Sequence, residues 1–546
     1  MKKSASIIIG IFICLIVIGI SYLWATSLMD SVYAYRSPLH NSPPIPGIEL
    51  GQRNTRSFVI VLIDALRYDT SMDANVMPFL DQLRSTGAYA MMHSKPPSYS
   101  EPGYSTILTG AWPDLNDGPA VNLDYPDIPT LTQDEIYSAA HRAGLKTAIS
   151  AFNWFEKLIP QEAVSASFYT TGEDRVADRE VTDAVLPWLP GGQYQLVLIH
   201  IDQVDYAGHH EGGPMDPRWD AAATRADGLL KEIALAMDLT QDTLLVISDH
   251  GQINQGGHGG QDPITLLEPF VLAGKGVIPG RYPDVQMVDV APTIAAILGT
   301  NIPATSQGHP QIAMFDFSLA QVNQIKTALV DQQAQLVRAY QTAINHPVSV
   351  TTSDDIVSAS QVAMQIARQS VLDNQRLPRG LIAIVLVFLF INLVAWSARP
   401  NYGWMVLAVL VYLVVFNVKY VFFDLKTYSL SSVTGLTDFL GTTALDTLIA
   451  LFIAWVLFLL GAKIYRMRPL KAAKVTIKFI LTTLSILSIP VFVHYVINGA
   501  IVTWTLPDFL ISFLALLFLI QIIIIAAIGI FFTGLSALVG VFGHGR

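Results

Sequence analysis

Six apolar blocks constrain this 546-residue chain more than any other feature. One runs from Ala5 to about Ala25, directly after the cationic start Met1-Lys2-Lys3. Five more lie near residues 380–398, 403–423, 445–462, 475–499 and 508–533. Each approaches or exceeds the ~20 residues that carry a helix across a bilayer. With 52% hydrophobic and only 14% charged residues, a large part of the chain belongs in lipid. The first block is longer than a signal-peptide core and no small-x-small cleavage site follows it, so residues 1–36 are expected to be an uncleaved anchor. Lys463, Arg466, Arg468, Lys471 and Lys474 form a dense basic loop, and Arg399 stands in another. Placing both loops and the amino terminus in the cytoplasm predicts six spans, both termini cytoplasmic, and Ser57 to Arg376 outside, in the periplasm, a lumen or the cell exterior.

The acidity is confined. Beyond Gly380 the only carboxylates are Asp424, Asp438, Asp446 and Asp508, so nearly all the acidity falls between the first and second blocks, in a chain of net charge -10. Such a balance argues against nucleic acid as a partner, because neutralising a phosphate backbone takes clustered Lys and Arg. The single cysteine, Cys14, lies inside an apolar run and offers neither a disulfide framework nor a thiolate metal site.

Between the blocks the pattern changes. Residues 37–56, rich in Pro and Gly, read as a linker. From 57 to 316 short apolar runs alternate with helical patterns. Phe58 to Ile63, Leu196 to Ile199 and Thr243 to Ile247 each end at a polar cluster. Buried parallel strands look like this, and ligands gather beyond their carboxyl ends. The expected fold is therefore an α/β sheet sandwiched by helices. Residues 317–378 read as two polar helical segments, a stalk or cap broken near His346-Pro347, and 379–546 as a membrane domain of five helices.

Four pieces carry chemistry. Asp64 closes the first strand. Pro97-Ser98-Tyr99-Ser100-Glu101-Pro102 runs on to Thr109-Gly110. Asp205-Tyr206-Ala207-Gly208-His209 follows the second strand, and Ser248-Asp249-His250-Gly251, with Gly257-His258-Gly259, follows the third. Asp and neutral His suit Zn²⁺ or a similar ion. Asp205 and His209, four apart, converge if their segment is helical. Asp249 and His250, adjacent, would point to opposite sides of an extended backbone and so could contact different faces of a shared site. Two ions ~4 Å apart clamp the attacking and leaving oxygens of an in-line displacement. A serine at a helix N-terminus beside them is an activated nucleophile in an anion-friendly field.

In this order the motifs resemble the alkaline phosphatase superfamily, over roughly Ser57 to Gly299. The likeness is strongest to its nucleotide pyrophosphatase/phosphodiesterase branch and to the GPI ethanolamine phosphate transferases. The resemblance implies that Asp64, Ser100, Asp249 and His250 hold one of two divalent ions, most readily zinc. It gives Asp205, His209 and His258 to the other, makes Ser100 the nucleophile, and puts Asn122 where diesterase relatives hold a phosphate-contacting Asn. Asp289-Val290-Ala291-Pro292-Thr293 is a structural element of the family. A leading span, this domain and a polytopic tail together look most like the transferases. That implies a phospholipid donor and a lipid-linked glycan acceptor at the membrane, with a phosphodiesterase using water as the rival.

Competing residues receive plainer readings. Ser98 and Ser105 cap or line the loop, His200 is a buried strand residue, His210 a solvated neighbour, and Asp202 the weaker alternative to Asp205. A Ser-type sulfatase motif would place Arg where Tyr104 stands. A non-catalytic surface protein would have lost a ligand position, and none is lost. Asp446 and His494 lie near or within predicted spans, where ionisable groups are often functional.

Overall fold

The computed structural model describes residues 2–351, 353–398 and 401–544, and side chains throughout these except at 2–4, 389–398 and 542–544. The chain divides into two compact units. One comprises Tyr33–Leu372 with Thr503–Leu506; the other comprises Met1–Val32, Asp373–Val502 and Pro507–Arg546.

The first unit is built on a nine-stranded sheet. Its strands are β1 (Phe58–Ile63), β2 (Ala88–His93), β3 (Thr147–Phe152), β4 (Ala166–Thr170), β5 (Leu196–Ile201), β6 (Thr243–Ile247), β7 (Leu267–Gly274), β8 (Gly280–Arg281) and β9 (Val285–Gln286). The order is β4-β3-β5-β1-β6-β7-β2-β8, with β9 beside β2. The neighbours β4, β3, β5, β1 and β6 run parallel, while β7 is antiparallel to both β6 and β2.

The near-continuous apolar composition of β1 follows from burial on both faces. Phe58, Ile60 and Leu62 enter one core, and Val59, Val61 and Ile63 enter the other. Register then positions the chemistry. Ile63 pairs with Ile201 on β5, and Leu62 pairs with Ile247 on β6. Asp64, Asp202 and the Ser248-Asp249 step therefore emerge together beyond the carboxyl ends of three adjacent central strands. Open α/β sheets present their ligands at this edge.

Helix Leu319–Ile344 opens on a capping box between Ser318 and Gln321 and lies along this unit. Ile325 and Leu329 pack with Leu50, Ala295 and Ile302, whereas Leu336 and Tyr340 pack with Leu39, Ala111 and Leu115. Leu39 and Leu50 belong to the Pro/Gly-rich 37–56 segment, which is thereby tied to the sheet unit, with Gly51 N–H donating to Gly299 O at 2.8 Å.

In the second unit five described helices are long and apolar enough to cross a membrane: Ala5–Tyr33, Tyr402–Phe423, Leu436–Gly461, Pro469–Asn498 and Phe509–Val541. The block near 380–398 continues helix Ile356–Ala398. Its side chains from 389 onward, and Arg399 altogether, lie outside the described residues. Among the packed apolar side chains of this unit sits one ion cluster, in which Lys419 Nζ lies 2.8 Å from Asp424 and 2.6 Å from Asp446. His494 is buried too, with Nδ1 3.2 Å from Asn498 Nδ2 and 3.4 Å from Ser512 Oγ.

Candidate active site

Asp64 follows β1, and the next residue, Ala65, takes a left-handed backbone conformation (φ 58°). The turn lets Ala65 N–H donate to Asp249 Oδ1 at 3.2 Å. Asp249 lies in a bend directly after β6. Asp249 Oδ2 and Asp64 Oδ1 each sit 3.4 Å from His250 Nε2. Asp249 and His250 both reach the shared site, from a bend rather than from extended backbone, and His250 belongs to both halves.

Helix Ser100–Thr109 presents its first residue to this group, with Ser100 Oγ 3.1 Å from His250 Nε2. Close approach is possible because residue 103 is glycine. A Cβ there would lie 2.8 Å from Asp249 Cβ and 2.9 Å from Asp249 O. The helix N-terminus adds a favourable field for an anion at Ser100. Asn122 Oδ1 accepts the Glu101 N–H at 3.1 Å, which fixes Asn122 beside the same terminus. Burial pushes the Glu101 carboxyl up to about 8, opposed by the Leu123 N–H it accepts.

Asp205 and His209 lie on helix Gln203–His210 and do converge, with Asp205 Oδ2 3.4 Å from His209 Nε2. His258 Nε2 is 2.9 Å from His209 Nε2 and 3.5 Å from Asp205 Oδ1. Gln252 supports this half by donating to Asp205 Oδ1 at 2.6 Å while accepting the Gly257 N–H at 2.9 Å. Gly208 makes room for it; a Cβ there would fall 2.0 Å from Gln252 Oε1. The glycine of the Asp-x-x-Gly-His motif thus accommodates a residue that holds its aspartate.

All seven metal-ligand candidates gather at one sheet edge. His250 joins the halves, its ring stacked on that of His258 at a centroid distance of 4.0 Å. Asp64, Asp249 and His250 form one group with mutually close donor atoms; Asp205, His250 and His258 form another. A third comprises Asp64, His200 and Asp202.

The donor chemistry fits divalent cations. His250 Nδ1 lies 3.1 Å from Gly251 O, and His258 Nδ1 lies 2.9 Å from Ser98 O. Each ring therefore donates through Nδ1 and turns its Nε2 lone pair inward, as metal-bound histidines do. Asp64 Oδ1 and Asp249 Oδ2 are buried without a hydrogen-bond partner. Burial and then the Asp64 charge push Asp249 well above the carboxylate range. Burial also pushes Asp205 up, with His209 opposing it. Asp64 differs. Burial raises it too, but the His200 hydrogen bond, the nearby His250 and the Tyr104 hydrogen bond bring it below its ordinary value. So many close carboxylates are unfavourable unless positive charge compensates them.

The remaining readings resolve as follows. Ser98 Oγ accepts the Gly259 N–H at 3.0 Å and so lines the loop, while Ser105 is buried. His210 is exposed. Asp289 accepts N–H groups from Gln286 and His309 and is structural. Two residues close to Asp64 received no role from the sequence: Tyr104, inside the Pro97–Gly110 segment, and His200, whose strand position was legible but whose contact with Asp64 was not.

A family model for type I phosphodiesterase / nucleotide pyrophosphatase matches residues 58–117 and 120–344. The chain belongs to this family. It lies within the alkaline phosphatase superfamily, as its motifs indicated. Among curated proteins, the human GPI ethanolamine phosphate transferase 2 catalytic subunit is 30% identical over 270 residues, covering 46% of this chain and 27% of the relative. The mouse GPI ethanolamine phosphate transferase 3 catalytic subunit is 24% identical over 325 residues, covering 54% and 29%. The chain thus spans less than a third of the length of these two relatives. Among solved structures, murine ectonucleotide pyrophosphatase / phosphodiesterase 5 is similar at 14% identity with a TM-score of 0.38, over 45% of this chain and 96% of that one.

Proposed function

We propose that this family member is a membrane-bound, metal-dependent phosphotransferase. It moves a phosphoethanolamine-like head group from a phospholipid to the hydroxyl of a lipid-linked, extracytoplasmic acceptor, through a covalent intermediate on Ser100. The observation that carries the reading is the position of Ser100 Oγ, at a helix N-terminus and 3.1 Å from the histidine common to both halves of the acidic cluster. Two zinc-like ions, one held by Asp64, Asp249 and His250 and one by Asp205, His209 and His258, would supply the positive charge that a serine oxyanion and phosphoryl oxygens require.

The chain's own groups do the rest. Ser100 Oγ attacks phosphorus and gives up its proton to water, the bond to the lipid's glyceryl oxygen breaks, and that oxygen leaves with a proton from water. The acceptor hydroxyl then attacks phosphorus and gives up its proton to water, the new ester forms, the bond from phosphorus to Ser100 Oγ breaks, and Ser100 Oγ takes a proton back from water. The helix N-terminus stabilises negative charge at the transferred group. Asn122 holds the first turn in place and lies beside the transferred phosphoryl. The names of the ethanolamine phosphate transferase relatives support this head group, and the charge bias of the loops supports an extracytoplasmic sheet unit with six spans and cytoplasmic termini. The family match equally supports a phosphodiesterase in which water replaces the acceptor.

Purified full-length protein given labelled phosphatidylethanolamine and hydroxyl-bearing glycolipid acceptors distinguishes the two. Labelled acceptor, with a Ser100-linked head group trapped when acceptor is omitted, is the expected result. Free phosphoethanolamine as sole product sinks the transferase and leaves the diesterase.

A further inference from the structure

Asp64 differs from the other carboxylates of the cluster in how its two oxygens are used. Oδ1 is buried, has no hydrogen-bond partner and lies 3.4 Å from His250 Nε2. Oδ2 meets two donors from elsewhere in the fold. Tyr104 Oη, from the middle of the Ser100 helix, donates to it, and His200 Nε2, from β5, lies 2.9 Å away. Tyr104 Oη and His200 Nε2 are themselves 3.0 Å apart. Tyr104 and His200 are both 1% exposed, so water does not compete for these bonds. Tyr104 is wedged by stacking on Phe155 at 4.3 Å and by an edge contact with His200 at 5.3 Å.

The tautomer of His200 follows from its surroundings. Nδ1 is buried and meets no acceptor among the described residues. The ring proton therefore belongs on Nε2, where the Asp64 carboxylate receives it. Tyr104 sends its single hydroxyl proton to the same oxygen. With two donors on Oδ2, only Oδ1 retains lone pairs free toward His250, Asp249 and Ser100.

We infer that Tyr104 and His200 form a two-donor clamp on Asp64 Oδ2 that turns Oδ1 toward the cation site and so acts on the reaction through Asp64. The inference rests on the metal-dependent reading above, and it assigns both side chains as positioning residues. Groups that orient a ligand from behind typically contribute 10–100-fold in metal affinity. The same atoms admit an opposite arrangement, because Asp64, His200 and Asp202 could together hold a third ion. Were His200 to bind that ion through Nε2, that atom would be a lone pair, and the clamp would not exist.

The test uses detergent-purified full-length chain, stripped with chelator and titrated with zinc alone, for wild type, Tyr104→Phe, His200→Leu and His200→Gln. The clamp predicts two ions per chain throughout. Zinc affinity falls about 10–100-fold in Tyr104→Phe and His200→Leu. His200→Gln, which keeps an N–H near the Nε2 position, loses only a few-fold. Turnover of the first two recovers at saturating zinc with KM unchanged, a rescue that a merely structural defect would not give. Should His200→Leu fail to fold, Tyr104→Phe, which removes one oxygen, decides. Unchanged zinc affinity in Tyr104→Phe, or three ions in wild type falling to two in His200→Leu, overturns the clamp. Asp249→Asn serves as the control: if it keeps both zinc and turnover, the metal reading fails independently of the clamp.

Discussion

Each unit buries carboxylates among apolar side chains, and each neutralises them differently. At the sheet edge Asp64, Asp205 and Asp249 have only histidines within ion-pair distance among the described residues. In the apolar helical unit Lys419 places its ammonium between Asp424 and Asp446. A tethered ammonium closes a cluster permanently, whereas neutral imidazoles leave it open to an exchangeable cation and to a substrate. A third solution appears at Glu135, which is fully buried, caps helix Ile136–Arg142 through the N–H groups of Tyr137 and Ser138, and is pushed up to about 7 by burial. There the neutralising cation is a proton.

The contrast can be broken experimentally, and the largest effect belongs to the open cluster. Ser100→Ala is expected to lower turnover by ~10⁴–10⁶, as removal of other serine nucleophiles does. Asp249→Ala or chelator should abolish turnover as well, with zinc restoring activity only after chelator; an active chelated enzyme would refute the sheet-edge side of the comparison. Next comes the closed cluster. Lys419→Met strands two carboxylates and should cost about 3 kcal/mol, the lower end for a broken buried pair because the lysine is partly exposed. Thermal unfolding in detergent measures it, and added zinc should give no rescue. Adding Asp446→Asn to Lys419→Met should recover part of that loss.

Gly208→Ala sharpens the comparison within the open cluster. The new methyl displaces Gln252 from Asp205, so stability should drop by about 2 kcal/mol and zinc affinity by ~10-fold. The smallest effect concerns Glu135. The unfolded carboxyl ionises near 4.5, while the folded one keeps its proton up to about 7. Between these values the unfolded state binds fewer protons, so stability falls as pH rises and levels off above pH 7. The slope is about 1.4 kcal/mol per pH unit at most, and Glu135→Gln should flatten it in a denaturation series from pH 5 to 8.

What could be read in the sequence followed the range of each interaction. Strand β1 and its terminal Asp64 were legible because burial on both faces leaves an unbroken apolar run. The convergence of Asp205 with His209 was legible because helical spacing is local. How Asp249 and His250 divide between the two halves of the site was not legible, since a single bend decides it and no residue type announces that bend. Gln252, Tyr104 and the facing atom of His200 were invisible for a different reason. His200 reaches Asp64 across 136 positions of chain, and Gln252 reaches Asp205 across 47. Such contacts depend on sheet order, and the order β5-β1-β6 is not written in any one segment.

The missing side chain at Gly103 has a mechanical consequence. With no Cβ in the way, the main chain of the nucleophile's helix rests almost directly on residue 249. The distance from Ser100 to its surroundings is therefore gauged by two rigid backbones rather than by rotamers that hop between wells. One added carbon at this position would pry the two apart.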